Sequence, residues 1–355
     1  MPVSEYKAQK RGGRGVTGMK QREDDYIDEL QTCSSHDNIL FISNKGIMYK
    51  LKCYELPEGS KASRGTNIVN LLELGEGEKI AAMIKTADFD EGKYIVMVTK
   101  NGKIKRTPLT SYRNVRKNGL IAIGLDEGDE IAGVRMTFGD NEVIVATHNG
   151  YAIRIRETDI REMSRVAHGV KAIKLRGSDY VVSMARVREG ASVLTVAENG
   201  LGRRVPLESY KVQNRGGKGI KGMNTIDNDI IDEIFLTNTH NFIMFFTNMG
   251  RVYRMKGYEI PESGRNARGV AIVNLLQLLP GEKVTAIIPI AGFDKKYLMM
   301  ATKNGIVKKT KIEAFENIRK TGLAAITLNE GDELIEVKAT SGENDVFLVT
   351  AKGMC

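Results

Sequence analysis

Two near-copies of one phrase, QKRGGRGVTGM at residues 9–19 and QNRGGKGIKGM at residues 213–223, set cations beside glycines in a pattern that could hold a phosphate. Glycine lets backbone N–H groups approach an anion closely while Arg or Lys supplies the charge. Nucleotide enzymes need more than that. A P-loop requires GxxxxGK[ST] and a dinucleotide site requires GxGxxG opening a helix, whereas GKGIKG runs into a predicted strand and no Ser or Thr follows its lysine directly. The adjacent carboxylates Asp24 and Asp25 fall in the acidic run EDDYIDE, which reads as an exposed stretch rather than a metal or acid–base centre. His36, His148, His168 and His240 are scattered, and Cys33, Cys53 and Cys355 form no CxxC pair, so zinc spacing is absent. No catalytic, metal or cofactor set emerges from these residues.

The elements that must position the two phrases follow from self-similarity. A strand, a Gly-centred turn and a second strand rich in basic residues recur as FISNKGIMYKLK, MVTKNGKIKRTP, VATHNGYAIRIR, TVAENGLGRRVP, FFTNMGRVYRMK, MATKNGIVKKTK and LVTAKGMC. Their turn glycines are Gly46, Gly102, Gly150, Gly200, Gly250, Gly305 and Gly353, 48 to 56 residues apart. A second phrase alternates with the hairpin: GRGVTGM, SRGTNIVNL, KNGLIAIGL, AHGVKAIKL, GKGIKGM, ARGVAIVNL and KTGLAAITL. β-branched runs flanking N–G or K–G are a strong hairpin signal. About four strands per unit of ~50 residues is the pattern of blades around an axis, with short helical turns expected at 109–115 and 312–318.

The prediction is therefore an all-β, propeller-like disc forming one repeat domain over 1–355. Its approximate units are 11–62, 63–115, 116–164, 165–212, 213–264, 265–317 and an incomplete 318–355. A longer period overlies the short one: Gly15 and Gly219 are 204 apart, as are Gly46 and Gly250, so units five to seven echo units one to three.

Charge points to a partner. Lys+Arg number 53 against 44 Asp+Glu, a net +9, which favours a polyanion. In the hairpins the cations alternate, Lys50 with Lys52, Arg154 with Arg156, Arg254 with Lys256 and Lys309 with Lys311, and residues i and i+2 of a strand share a face. Lys105, Arg106, Arg203 and Arg204 occupy the corresponding strands, and Arg64, Lys117, Arg165, Arg268 and Lys320 stand in the second phrase. Together they predict a basic rim, while the acidic residues gather in runs such as DEGDE at 126–130 and NEGDE at 329–333. Aromatic residues are 6% and do not interleave with the cations, which disfavours single-strand stacking and favours a duplex backbone gripped by shape and charge. The alternative is a propeller-type protein-interaction module whose basic rim is only solvating. No secretory signal or run of ~20 apolar residues is present, so a soluble, cytoplasmic, nucleoid-associated chain without a membrane partner is expected.

The two glycine-rich boxes and the SNKGxxYxLKxYELP and NGLIAI repeats resemble the C-terminal DNA-wrapping domain of the DNA gyrase A subunit, and its counterpart in topoisomerase IV. The resemblance covers practically the whole chain. It implies a six-bladed β-pinwheel, or one of altered blade count, whose basic rim bends and wraps duplex DNA so that the holoenzyme can introduce negative supercoils. It also implies partners, the N-terminal core of the gyrase A subunit and the gyrase B subunit in an A2B2 assembly, with ATP and magnesium acting elsewhere in that holoenzyme. The DNA-cleaving core with its tyrosine is missing from this sequence, so the chain is not an enzyme by itself. The box residues that match are Gln9, Lys10, Arg11, Gly12, Gly13, Arg14 and Gly15, and then Gln213, Asn214, Arg215, Gly216, Gly217, Lys218 and Gly219. After the second box the text reads like a first blade again, which fits a fragment, a recombinant of two such genes or a variant with a changed blade count.

Overall fold

Alternating apolar residues on either side of a Gly turn fold into hairpins here, and each hairpin is the centre of a sheet. The computed structural model describes residues 1–21, 25–61, 63–188, 190–197, 201–222, 231–238, 240–262, 270–290 and 296–355. Among them six hairpins are complete: Asn38–Ser43 with Ile47–Lys52, Tyr94–Thr99 with Lys103–Pro108, Glu142–Thr147 with Tyr151–Arg156, Ala191–Ala197 with Leu201–Pro206, Phe242–Thr247 with Arg251–Lys256, and Tyr297–Thr302 with Ile306–Lys311. Each lies inside a four-stranded antiparallel sheet.

The outer two strands of a sheet come from later in the chain. Blade one takes Ile80–Thr86 on one side of its hairpin and Leu120–Ile121 on the other. Blade two likewise takes Ile131–Thr137 and Val170–Lys171, and blade three takes Val181–Arg186 and Ile220–Lys221. The second phrase of each unit is thus the edge strand of a blade two hairpins earlier.

Followed around, the rule closes on itself. Val16–Thr17, from the first copy of the second phrase, pairs with Ile306–Lys311 of blade six. Ile27–Cys33 pairs with Asp345–Thr350, the first strand of the seventh hairpin. Asn67 of the second phrase bridges Met354, with Thr66 N–H donating to the Cys355 carbonyl at 2.7 Å and Cys355 N–H donating back at 2.9 Å. Residues at the start of the chain extend the same blade, since Val346 N–H donates to the Met1 carbonyl at 2.6 Å and Pro2 bridges Asp345. The described residues thus form six four-stranded sheets and a seventh, two-stranded one, the altered blade count that the resemblance allows. The unit read as incomplete is completed by N-terminal residues, a pairing that periodicity cannot reveal.

The cores confirm the count, because each apolar cluster lies between two successive blades. Leu40, Ile42 and Met48 of blade one pack with Ile95, Met97 and Val134 of blade two. Val96 and Val98 pack with Val143 and Ile153 of blade three, Ile144 with Val193 of blade four, and Leu194 with Phe245 of blade five. Phe246 then meets Leu298 of blade six, Met299 meets Leu348 of blade seven, and Phe347 returns to Phe41 of blade one. Seven interfaces hold seven cores. Cys33, Cys53 and Cys355 converge on the last of these.

The hairpin turn shows why glycine recurs. Gly46 has φ +74, and a Cβ there would lie 2.7 Å from the Ile123 carbonyl of the incoming edge strand. Both the left-handed backbone and the close approach exclude a side chain. The expected short helical turns appear as 3-10 turns at Leu109–Tyr112 and Ile312–Phe315. Part of the acidic text is structural rather than exposed. Asp179 accepts from Thr147 Oγ1 at 2.7 Å and from Asn149 N–H at 2.9 Å, clamping the turn, and Asp25 does the same through Thr350 Oγ1 at 2.6 Å and Lys352 N–H at 3.0 Å. Asp25 is buried, against the exposed reading, and Asp24 lies outside the described residues.

Candidate nucleic-acid interface

The fourth residue after the turn glycine is a cation in all six complete hairpins: Lys50, Arg106, Arg154, Arg204, Arg254 and Lys309. The sequence places these on the rim; the structure turns five of them toward a neighbouring blade, and Arg254 lies against a ring of its own blade. Arg154 forms a 2.5 Å ion pair with Glu142 and donates to the Leu207 and Tyr210 carbonyls of blade four at 3.1 and 3.3 Å. Arg204 is buried and donates to the Ile260 carbonyl of blade five at 3.0 Å, with Glu262 3.4 Å away. Lys309 is buried and donates to the Val3 carbonyl at 2.8 Å. Lys50 donates to the Arg113 carbonyl of blade two. Arg106 is buried over the Tyr94 ring, facing Glu157 and Glu162 of blade three at 3.9 and 3.7 Å. Arg254 lies over the Phe242 ring at 4.2 Å.

A cation that reaches the neighbouring blade from this position is an inter-blade staple. A partly buried carbonyl needs a donor, and a long basic side chain reaches one across the seam. Burial holds the Lys50 and Lys309 ammonium groups below the ordinary lysine range. The neighbouring Lys105 also leaves the predicted rim. It is fully buried, donates to the Ala122 carbonyl at 2.6 Å and to that of Arg165, and burial pushes its pKa down to about 7. Lys308 repeats this arrangement in blade six, lowered by burial to about 8. Strand alternation is legible in the sequence; depth is not.

Two residues further along the strand, the cations stand nearer solvent. Arg156 and Lys311 are exposed, while Lys52 and Lys256 are half-buried and donate to the His36 and His240 carbonyls at 3.0 and 3.2 Å. The second phrase supplies the outermost charge. Arg64, Lys117, Arg165 and Lys320 are exposed on or beside the edge strands, as are Arg116 and Arg319, which sequence reasoning passed over although each adjoins a lysine already chosen. Arg268 lies outside the described residues, as does the side chain of Arg203.

The two boxes have one geometry. Box one lies along blade six, with Gln9 N–H donating to the Lys309 carbonyl at 2.8 Å and Gly12 N–H to that of Ala325 at 3.1 Å. Box two lies along blade three, with Gln213 N–H donating to the Arg154 carbonyl at 2.8 Å and Gly216 N–H to that of Ala172 at 2.7 Å. Gly12, Gly15, Gly216 and Gly219 all have positive φ. Gly13 and Gly217 make room for the glutamine, since a Cβ would meet Gln9 Oε1 at 2.6 Å or Gln213 Oε1 at 3.1 Å. Arg11 donates to the Ala314 and Asn317 carbonyls at 3.3 Å each, and Arg215 to that of Asp159 at 3.1 Å. All five box cations, Lys10, Arg11, Arg14, Arg215 and Lys218, are exposed, and Arg11 and Arg215 also brace the box through these carbonyl contacts.

A ring of strand-exchanging blades, six of them four-stranded and the seventh two-stranded, with cations along the edge strands, defines a propeller of the pinwheel kind. The sequence matches the family described as "DNA gyrase C-terminal domain, beta-propeller" at residues 1–34, 37–87, 93–137, 141–188, 191–238, 241–291 and 296–341, and the chain belongs to that family. The DNA gyrase A subunit of Staphylococcus aureus (strain NCTC 8325 / PS 47) is 41% identical over 279 residues, covering 78% of this chain and 32% of that protein. Its Staphylococcus epidermidis counterpart is also 41% identical, with 78% and 31% covered. The chain thus spans about a third of the length of the curated relatives it matches. Among solved structures, the C-terminal domain of DNA topoisomerase IV aligns with TM-score 0.61 and 25% identity over 72% of this chain and 79% of that one. The DNA gyrase A C-terminal domain aligns with TM-score 0.56 and 23% identity over 95% and 93%, a likeness of fold.

Proposed function

We propose that this disc binds duplex DNA along its outer edge and bends it, as the wrapping part of a gyrase A subunit that supports ATP-dependent negative supercoiling. The observation that carries the reading is the placement of exposed cations on or beside the edge strands of successive blades: Arg14, Arg64, Lys117, Arg165, Lys218 and Lys320. A cation repeated at the rim of successive blades follows a curved polyanion through its phosphates. The chemistry of strand passage, with ATP and magnesium, belongs to the N-terminal core of the A subunit and to the B subunit in an A2B2 holoenzyme. The box organises the edge, Arg11 and Arg215 bracing the loop from which Arg14 and Lys218 project.

Two measurements test this. DNA affinity against salt should fall with a slope of about −0.9 per neutralised phosphate, steep for a wrapped duplex; a flat slope refutes it. Replacing Arg11, Arg14, Arg215 and Lys218 by Ala should reduce bending and wrapping more than affinity, because the remaining rim cations stay. Relaxed plasmid closed by ligase in the presence of protein reports trapped writhe, and unchanged writhe in the variant would remove the box from the mechanism.

A further inference from the structure

Blades one and five carry an exposed aromatic pair that the other complete blades lack. Tyr54 and Tyr258 follow their turn glycines by eight residues and are 61% and 56% exposed. The same place holds Thr110, Thr158, Glu208 and Glu313 in blades two, three, four and six. Each tyrosine meets an exposed histidine edge-on, His36 at 6.1 Å and His240 at 6.4 Å between ring centroids. Those histidines too occur only here: ten residues before the turn glycine the other four hairpins have Gly92, Asp140, Gly190 and Lys295.

The scaffold under the pair is also duplicated. Cys53 N–H donates to the Asp37 carbonyl at 2.9 Å and Gly257 N–H to that of Asn241 at 3.0 Å. Lys52 N–H donates to Glu55 Oε2 at 2.6 Å and Lys256 N–H to Glu259 Oε2 at 2.5 Å, while the two lysine ammoniums hold the histidine carbonyls. A large amphipathic ring held this far out of the core contributes little to folding. Tyrosine in that setting offers an apolar face and a hydroxyl donor, the combination suited to a sugar–phosphate backbone.

We infer that Tyr54 with His36 and Tyr258 with His240 are contact points for the duplex, packing against deoxyribose and donating to phosphate at two places on the ring. The inference rests on the rim reading above. It differs from the cationic contacts in one measurable respect: a neutral ring releases no counterion on binding, so its loss weakens affinity at every salt concentration without changing the slope.

The test is fluorescence anisotropy of a labelled duplex against salt, with the full chain, its Tyr54→Leu, Tyr258→Leu double variant and its Lys117→Ala, Lys320→Ala double variant. The tyrosine pair should weaken binding about tenfold at each salt, two contacts of ordinary aromatic strength, with parallel slopes. The lysine pair should flatten the slope by about 1.8. Tyr54→Phe with Tyr258→Phe separates ring from hydroxyl and should recover part of the loss. Because the chain has no tryptophan, DNA quenching of tyrosine emission gives a second readout that the Leu variant should diminish. Parallel binding curves within twofold for wild type and Leu variant overturn the inference and leave the rim reading intact. A shallow slope in the wild type overturns the rim reading itself.

Discussion

Truncating Arg154 distinguishes a staple from a DNA contact. Its guanidinium makes a two-point pair with Glu142, Nε at 2.7 Å and Nη2 at 2.5 Å, and Nη1 reaches two carbonyls of blade four. The two side chains are 17% and 23% exposed, so water screens the pair only partly. Removing one partner of a fully buried pair costs about 3–5 kcal/mol, and a charge-assisted hydrogen bond is worth about 1.5–3 kcal/mol. Allowing for the exposure, Arg154→Ala should cost about 3 kcal/mol, spread over a stranded Glu142 carboxylate and two carbonyls that each lose one donor, Leu207 keeping the Tyr210 N–H. Urea unfolding followed by far-UV circular dichroism measures it, and the Arg154→Ala, Glu142→Ala double variant should recover part of the loss. The salt slope of DNA binding, taken below the unfolding transition, should stay within about half a unit of wild type. A variant as stable as wild type whose slope falls by about 0.9 would refute the staple and return Arg154 to the rim.

Lys105 makes stability depend on pH. Its folded pKa of about 7 lies below the ordinary lysine value, so between the two the unfolded chain binds more protons and stability rises with pH from about 7 towards 10. Lys105→Met should reduce that rise, with the part that Lys308 supplies remaining, which urea midpoints at about pH 7 and about pH 9.5 would show. Gly46→Ala should cost about 2–3 kcal/mol, since it meets both a positive φ and a backbone carbonyl at 2.7 Å, read from the same unfolding assay. Arg11→Ala should lower the melting temperature while Arg14→Ala leaves it unchanged, because of these two only Arg11 bonds to blade six through its side chain.

The repeating hairpin, its Gly turn and the seven-unit count are all legible, because each is written in contiguous residues. Which strands pair is not. Leu120–Ile121 carries no mark assigning it to Ile47–Lys52 rather than to the nearer Lys103–Pro108. For the same reason residues 1–21 and 25–33 look like an entry into the first unit, while Val16–Thr17 belongs to blade six and Ile27–Cys33 to blade seven. On the site, the alternation of Lys309 and Lys311 correctly places both on one side of a strand, yet Lys309 is buried and Lys311 exposed. A sheet face is half seam and half solvent here, and only the neighbouring blade decides where the boundary falls. The box is recognisable as a unit, but nothing in its text shows that Arg11 and Arg215, exposed like Arg14 and Lys218, also bond to carbonyls of the blade beside them.

The strand exchange has a consequence for the number seven. In the six four-stranded blades every pairing depends only on the difference in position between units: a hairpin takes one strand from the unit after it and an edge from the one after that. Only the seventh sheet, where Met1 and Pro2 meet Val346 and Asp345, departs from this rule. Copy number is then a boundary condition, set by the curvature that successive cores such as Ile144 with Val193 or Phe41 with Phe347 can accumulate before the first and last units meet. Gain or loss of one whole unit by unequal recombination would leave every surviving pairing rule satisfied, changing the circumference, and with it the length of any polymer laid along the edge, in steps of one blade.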